Sequence, residues 1–117
     1  MKATTVKEVL VAARWILTHY GWCKGSLWKD QDDVNIYSTS YISSGEAKLG
    51  CCCLSGALLL VDTDNEQVRM KAYDLLENHM ELLGNHMEKV SVPSWNDQLN
   101  RTKQQVINLL NRAIAKA

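Results

Sequence analysis

An amphipathic helix that runs straight into a glycine-flanked bend sets the terms for the rest of this chain. Val6, Leu10, Ala13, Ile16, Leu17 and Tyr20 recur at helical spacing. Thr5 and Glu8 stand three apart, a hydroxyl and then a carboxylate, which is the spacing of a capping box. The pattern predicts a helix over residues 6–20 whose apolar face other elements must cover. Gly21 ends it, because glycine enters left-handed backbone at little cost. The bend that follows, Gly21-Trp22-Cys23-Lys24-Gly25, sets an indole, a thiol and an ammonium side by side.

Three more helices are expected. Residues 51–61 form a continuous apolar run, read as a short buried helix because Leu, Ala and Cys dominate it. Gly56 and Ala57 there would let another helix come close. Residues 66–83 carry Val68, Ala72, Leu75, Leu76, His79, Met80 and Leu83 on one face, capped by Thr63 with Glu66 or Asp64 with Gln67, and closed by Gly84. The last helix starts at Thr102, with Gln105 reaching back and Val106, Leu109, Leu110 and Ala113 on its apolar face. Between the first two helices the pattern fails. Lys29-Asp30-Gln31-Asp32-Asp33 reads as a polar turn, 34–42 as a short strand or hairpin, and Ser43-Ser44-Gly45 as a turn. Residues 90–92 read as extended, and Trp95-Asn96-Asp97 as a tight irregular turn. The fold class is therefore mainly α: a single domain over residues 1–117, with about four helices and a short β or irregular insert after the first.

Size and charge narrow the function. A chain of 117 residues buries roughly 65% of its unfolded surface, enough for one core without staples. Lys plus Arg number 13 and Asp plus Glu 13, so there is no excess of cations to neutralise phosphates, and specific nucleic-acid binding is not expected. No run of about 18 apolar residues is present to span a membrane. The N-terminus reads as the approach to a helix, not as a signal peptide. A cytoplasmic protein with reduced thiols is expected. Consecutive cysteines bridge each other poorly, so the four read as free thiols.

Two bends carry the polar chemistry. In the first, Trp22 offers a stacking face, Cys23 a thiol and Lys24 a positive charge; the plainer reading is a helix end with Trp22 and Cys23 tucked into the core. In the second, Asn96 and Asp97 present acceptors beside Trp95, and Arg101 can grip an anion ahead of a helix N-terminus; the plainer reading is a turn anchored by Trp95, with Asp97 paired to Arg101. The candidate ligand-binding residues are Trp22, Cys23, Lys24, Trp95, Asn96, Asp97 and Arg101. No cofactor is implied and no metal is assigned. A mixed site of Cys23, one of Cys51, Cys52 or Cys53, and His79 or His86 is the minor alternative, since the Cys-x2-Cys spacing that converges on one ion is absent. His79 reads as a core histidine and His19 and His86 as helix-end residues.

At these motifs the chain resembles a small uncharacterised family, a domain of unknown function from bacteriophages and actinobacteria. The resemblance rests on Gly21-Trp22-Cys23-Lys24-Gly25, Cys53-Leu54-Ser55-Gly56-Ala57, Trp95-Asn96-Asp97, Arg101-Thr102 and Val106. The chain departs from that family at Lys24, where Gln is usual, in a longer 34–50 segment, and at Gln98-Leu99-Asn100 in place of a Pro-Gly turn. The resemblance implies a small, mainly helical protein, encoded by a phage, and no established activity. It also implies that the two bends belong together in space. The expectation is a non-enzymatic binding protein for a host protein or a small anionic ligand, in an accessory or counter-defence role. Dimerisation suits the size, although no heptad run specifies it. The alternative is a cysteine-dependent hydrolase or transferase with Cys23 as nucleophile.

Overall fold

The computed structural model describes residues 2–80 and 90–117. Its elements run α1 (Val6–His19), β1 (Trp28–Asp30), β2 (Asn35–Ile36), α2 (Thr39–Ser43), β3 (Leu49–Cys52), α3 (Leu54–Leu60), α4 (Glu66–His79), α5 (Val92–Asn96) and α6 (Lys103–Lys116). The fold is mainly α with a small three-stranded sheet. Helix α1 packs against α3, α4 and α6, and α4 also meets α6. Val9, Leu10, Ala13 and Leu17 of α1, Leu54, Ala57 and Leu58 of α3, Ala72 and Leu76 of α4, and Val106, Leu109, Leu110 and Ala113 of α6 have no exposed surface and form one core. Val9 joins the buried face of α1, while Tyr20 stays exposed and packs edge-on against His19.

Both long terminal helices start as their sequence says. The Thr5 hydroxyl accepts from Glu8 N and the Glu8 carboxylate accepts from Thr5 N, at 3.1 Å each way. Thr102 and Gln105 repeat the arrangement at α6. Gly21 has φ 140° and follows Tyr20 at the end of α1.

The middle of the chain differs from the reading above. The 51–61 run is a strand and then a helix. Cys51 and Cys52 end β3, Cys53 caps α3, and the helix begins at Leu54. The cap is a sulfur: Cys53 Sγ accepts from Gly56 N at 3.3 Å. Trp28, Lys29 and Asp30, placed in or beside a turn, form the central strand of an antiparallel sheet ordered β2-β1-β3. The turn comes one step later, where Asp30 Oδ1 accepts from Asp32 N and Val34 N, and Asp33 has φ 65°. The 34–42 strand shrinks to Asn35–Ile36, and Tyr41 and Ile42 lie in α2. Gly56 does admit a close neighbour, but it is a strand entry: a Cβ there would lie 2.1 Å from Leu27 O. Trp28 Nε1 also donates to Gly56 O at 3.0 Å.

Helix α4 is capped by Asn65, whose side chain accepts from Gln67 N; neither Thr63 nor Asp64 is the cap. It ends at His79, where Met80 turns extended; Leu83, Gly84 and His86, which the expected helix and its end involved, lie outside the described residues. Arg69 of α4 is buried. It donates to the terminal carbonyls of α3, Leu58 O and Val61 O, and pairs with Glu66 at 3.0 Å. A guanidinium at a helix C-terminus meets both the orphan carbonyls and the negative end of the dipole. Tyr73 adds a hydroxyl contact of 2.8 Å to buried Ser55. Among the described residues no helix is long and apolar enough to cross a membrane.

Candidate functional site

The Gly21–Gly25 bend is held from one side by β3. Cys23 N donates to Cys52 O at 3.0 Å and Cys52 N to Gly21 O at 3.1 Å, a parallel bridge that adds Trp22 to the sheet edge. From the other side it is held by α5. This element is not the irregular turn expected for Trp95-Asn96-Asp97. Ser91 caps it, Pro93 sits in its first turn, and Trp95 and Asn96 lie within it. Proline there costs no hydrogen bond and presets the helical φ, which is why the chain coils at this point.

Asn96 joins the two bends. It has no exposed surface. Its Oδ1 accepts from Trp22 Nε1 at 2.6 Å and from Leu54 N at 3.0 Å. Its Nδ2 donates to Cys23 O at 3.2 Å and to Asp97 Oδ1 at 2.9 Å. Two acceptor positions and two donors are the full capacity of a primary amide. Asp97 Oδ1 also accepts from Gly25 N at 3.0 Å, and Lys24 Nζ donates to Gln98 O at 2.8 Å. Trp22, Cys23, Lys24, Asn96 and Asp97 are therefore in one place, as the two-bend reading required. Their polar atoms are largely bonded to one another, so this half is a joint between segments. Asp97 is not paired with Arg101; it serves Gly25 and Asn96 instead.

Trp95 and Arg101 open onto a different surface. The Arg101 guanidinium lies 3.8 Å from the centre of the Trp95 ring; its Nε donates to Trp95 O at 3.0 Å and its Nη2 to Gln98 Oε1 at 2.5 Å. Around this stack Trp95, Arg101, Gln105, Asn108 and Arg112 line a cavity of about 90 Å³. The last four follow each other at helical spacing along one stripe. The oxygens nearby are engaged: Gln105 Oε1 accepts from Thr102 N at 3.0 Å, and Asn108 Oδ1 from Gln104 Nε2 at 2.9 Å. What the described residues leave for the cavity is N–H groups, from the two amides and the Arg112 guanidinium, and no carboxylate is among the described lining residues. Trp95 is 2% exposed, yet among the described residues its Nε1 has no hydrogen-bond partner. Gln105, Asn108 and Arg112 were not among the residues expected to bind; their shared stripe on an N-capped helix was the available signal.

The sulfurs have a different character. Cys23 is half-buried, and burial, followed by a hydrogen bond with the Cys51 thiol, pushes its ionisation well above the ordinary thiol range. Burial pushes Cys52 up to about 12. Burial also raises Cys53, against the pull of the Gly56 N–H. Among the described residues no three His, Cys, Asp or Glu side chains are grouped so as to hold a metal ion.

The chain belongs to a family of unknown function, DUF6197, whose model matches residues 1–116. No curated protein and no solved structure matches it.

Proposed function

We propose that this is a non-enzymatic binding protein, and that it holds a small anionic group in the cavity between Trp95 and the Arg101–Gln105–Asn108–Arg112 stripe. The observation that carries this reading is the one-sided chemistry of that cavity. Its lining offers donors and positive charge, while the neighbouring acceptors are already engaged. Trp95 lines the cavity, and its buried indole N–H has no partner among the described residues, where a buried polar group normally has one. The volume suits a single carboxylate, sulfate or phosphate group rather than a whole cofactor. The group can be free or carried on a host protein, and the setting we attach to it is a phage-encoded accessory or counter-defence role. In this reading the joint centred on Asn96 is the frame that fixes Trp95.

The experiment is a titration with inorganic phosphate, sulfate and acetate at constant ionic strength, followed by the side-chain N–H resonances of Trp95, Arg101, Gln105 and Asn108. Saturable shifts of those resonances, weakened several-fold by Arg112→Ala, support the site. Shifts that chloride reproduces equally, or that Arg112→Ala leaves unchanged, refute it.

Catalysis by Cys23 fits less well. A nucleophilic cysteine needs a lowered ionisation, usually from an adjacent cation or imidazole. Cys23 instead has another thiol as its partner and is pushed the opposite way.

A further inference from the structure

Four sulfurs gather where the Gly21–Gly25 bend crosses β3, and the structure gives them unequal tasks. Cys52 has no exposed surface and belongs to the core. Cys53 is 4% exposed and its sulfur caps α3. Cys23 and Cys51 are both half-buried, within reach of solvent, and flank the Trp22–Cys52 bridge on the same side of the paired strands, by the alternation of strand side chains. The backbone holds them there. Residues 21–23 bond to both sides of Cys52, and a Cβ placed on Gly21 would sit 3.6 Å from Cys51 Cβ. The Cys51 side chain thus lies against the bend that carries Cys23.

We propose that Cys23 and Cys51 are a redox-modification site that closes to an intramolecular disulfide when the protein meets a peroxide. One thiolate of the pair attacks a peroxide oxygen; the O–O bond breaks, water leaves after protonation, and that sulfur becomes a sulfenic acid. The second sulfur attacks the first, the S–O bond breaks and another water leaves. In sum, two thiols and one hydrogen peroxide give one disulfide and two waters; sulfur is oxidised and peroxide oxygen reduced. The bond would fasten the bend to β3, and with it the Trp22, Lys24 and Gly25 contacts to Asn96, Asp97 and Gln98. Closure requires the two α-carbons to lie within about 7 Å, so the pair is tested as a bridge and not only as a contact. Thiolate is the reacting form and burial holds Cys23 back from ionising, so closure accelerates as pH rises.

The test uses the full chain, reduced and then treated with hydrogen peroxide. Free thiols are counted after denaturing alkylation, and intact mass is measured without reductant. Two thiols lost per chain, a monomer mass lower by two hydrogens with no dimer formed, and a raised melting temperature are expected. Cys23→Ser and Cys51→Ser must each abolish the change, and Cys53→Ser, which keeps a capping oxygen, must retain it. Cys23→Ala and Cys51→Ala accompany the serine variants, so that a folding defect in one does not decide the result. Four thiols surviving oxidation, a bridge between two chains, added oxygen on one sulfur with no bridge, or mass loss persisting in the Cys51 variants each overturns the proposal.

Discussion

Asn96→Ala is the substitution that weighs most on this fold. It removes one amide that serves three segments. Leu54 N, at the start of α3, loses its partner in the interior; a buried donor left unmade costs about 1–3 kcal/mol. Trp22 Nε1 and Cys23 O are half-buried and can turn partly to water, so each loses about 0.5–1.5 kcal/mol. Together the loss is about 4 kcal/mol, with a range of about 2–6. With a urea m-value of about 1.5 kcal/mol/M the midpoint falls by about 2.5 M. Asn96→Asp separates hydrogen bonding from shape. It keeps both acceptor contacts, but it sets a carboxylate against Cys23 O and Asp97 Oδ1, where Asn96 donates. Burial and Asp97 raise the folded ionisation of the new carboxyl above its unfolded value. Its penalty is therefore largest at neutral pH and shrinks as pH falls through the folded value. Urea unfolding followed by far-ultraviolet circular dichroism at neutral and mildly acidic pH measures both. Trp22→Phe supplies the third arm, and its cycle with Asn96→Ala should show a coupling of about 1 kcal/mol. If Asn96→Ala costs under about 1 kcal/mol, or Asn96→Asp shows no more pH dependence than Asn96→Ala, the joint is not held by this amide and the reasoning fails.

Arg69→Met keeps the apolar stem but strips the carbonyls of Leu58 and Val61 of their cap, and should cost about 3 kcal/mol in urea unfolding. A loss near zero would mean those carbonyls find water. Gly56→Ala drives a methyl to 2.1 Å from Leu27 O, so the strand entry must shift, at about 3 kcal/mol; an unchanged midpoint would show the contact is loose. Glu8 ionises below the usual carboxylate range, first through the Thr4 backbone N–H, then through the Thr4 hydroxyl and Thr5. Its contribution is present above the unfolded value of about 4.3 and is lost as pH falls through the lower folded value. Glu8→Gln should therefore flatten the acid limb of a stability–pH profile, and an unaltered limb would contradict the assignment.

Local signals were readable wherever a helix was long and its cap chemically ordinary. Thr5 with Glu8, Thr102 with Gln105, Gly21 and the α6 stripe from Val106 to Ala113 all stand as the spacing required. The meeting of the two bends was legible for another reason: the family resemblance implied it, and both bends set polar or sulfur groups beside an indole. The sheet was not legible. Its strands are three, two and four residues long; they contain Lys, Asp, Gly and Cys, and their stability comes from pairing across distant parts of the chain, which no local window contains. Residues 51–61 misled because Cys53 caps α3 with sulfur, so no hydroxyl or carboxamide announces the helix start. Arg69 was hidden because a charge on a helix ordinarily faces water, and only the position of the α3 C-terminus makes burial favourable. By contrast, Ser91 followed by Pro93 did announce α5, and the polar residues after it drew the reading toward a turn.

Neighbouring residues on α5 divide the Asn96 joint from the proposed binding cavity, and one substitution separates them. Asn96 faces the Gly21–Gly25 bend, whereas Trp95 faces Arg101 and the α6 stripe. Trp95→Phe keeps an aromatic ring under the guanidinium and deletes an N–H that has no partner among the described residues. Removing an unsatisfied buried donor returns about 1–3 kcal/mol of desolvation cost. The smaller ring leaves a void that costs about the same, through lost packing and residual cavity volume. The two oppose each other, so stability should change by no more than about 1 kcal/mol, unlike Asn96→Ala. If the indole N–H is one of the donors that meets a bound anion, phosphate affinity falls several-fold in the same variant. A stable Trp95→Phe protein that binds phosphate as tightly as wild type would remove the indole from the site. A variant that loses several kcal/mol would show instead that the indole N–H is structurally engaged, and the donor-lined cavity would then lose the feature that marks it out from an ordinary basic groove.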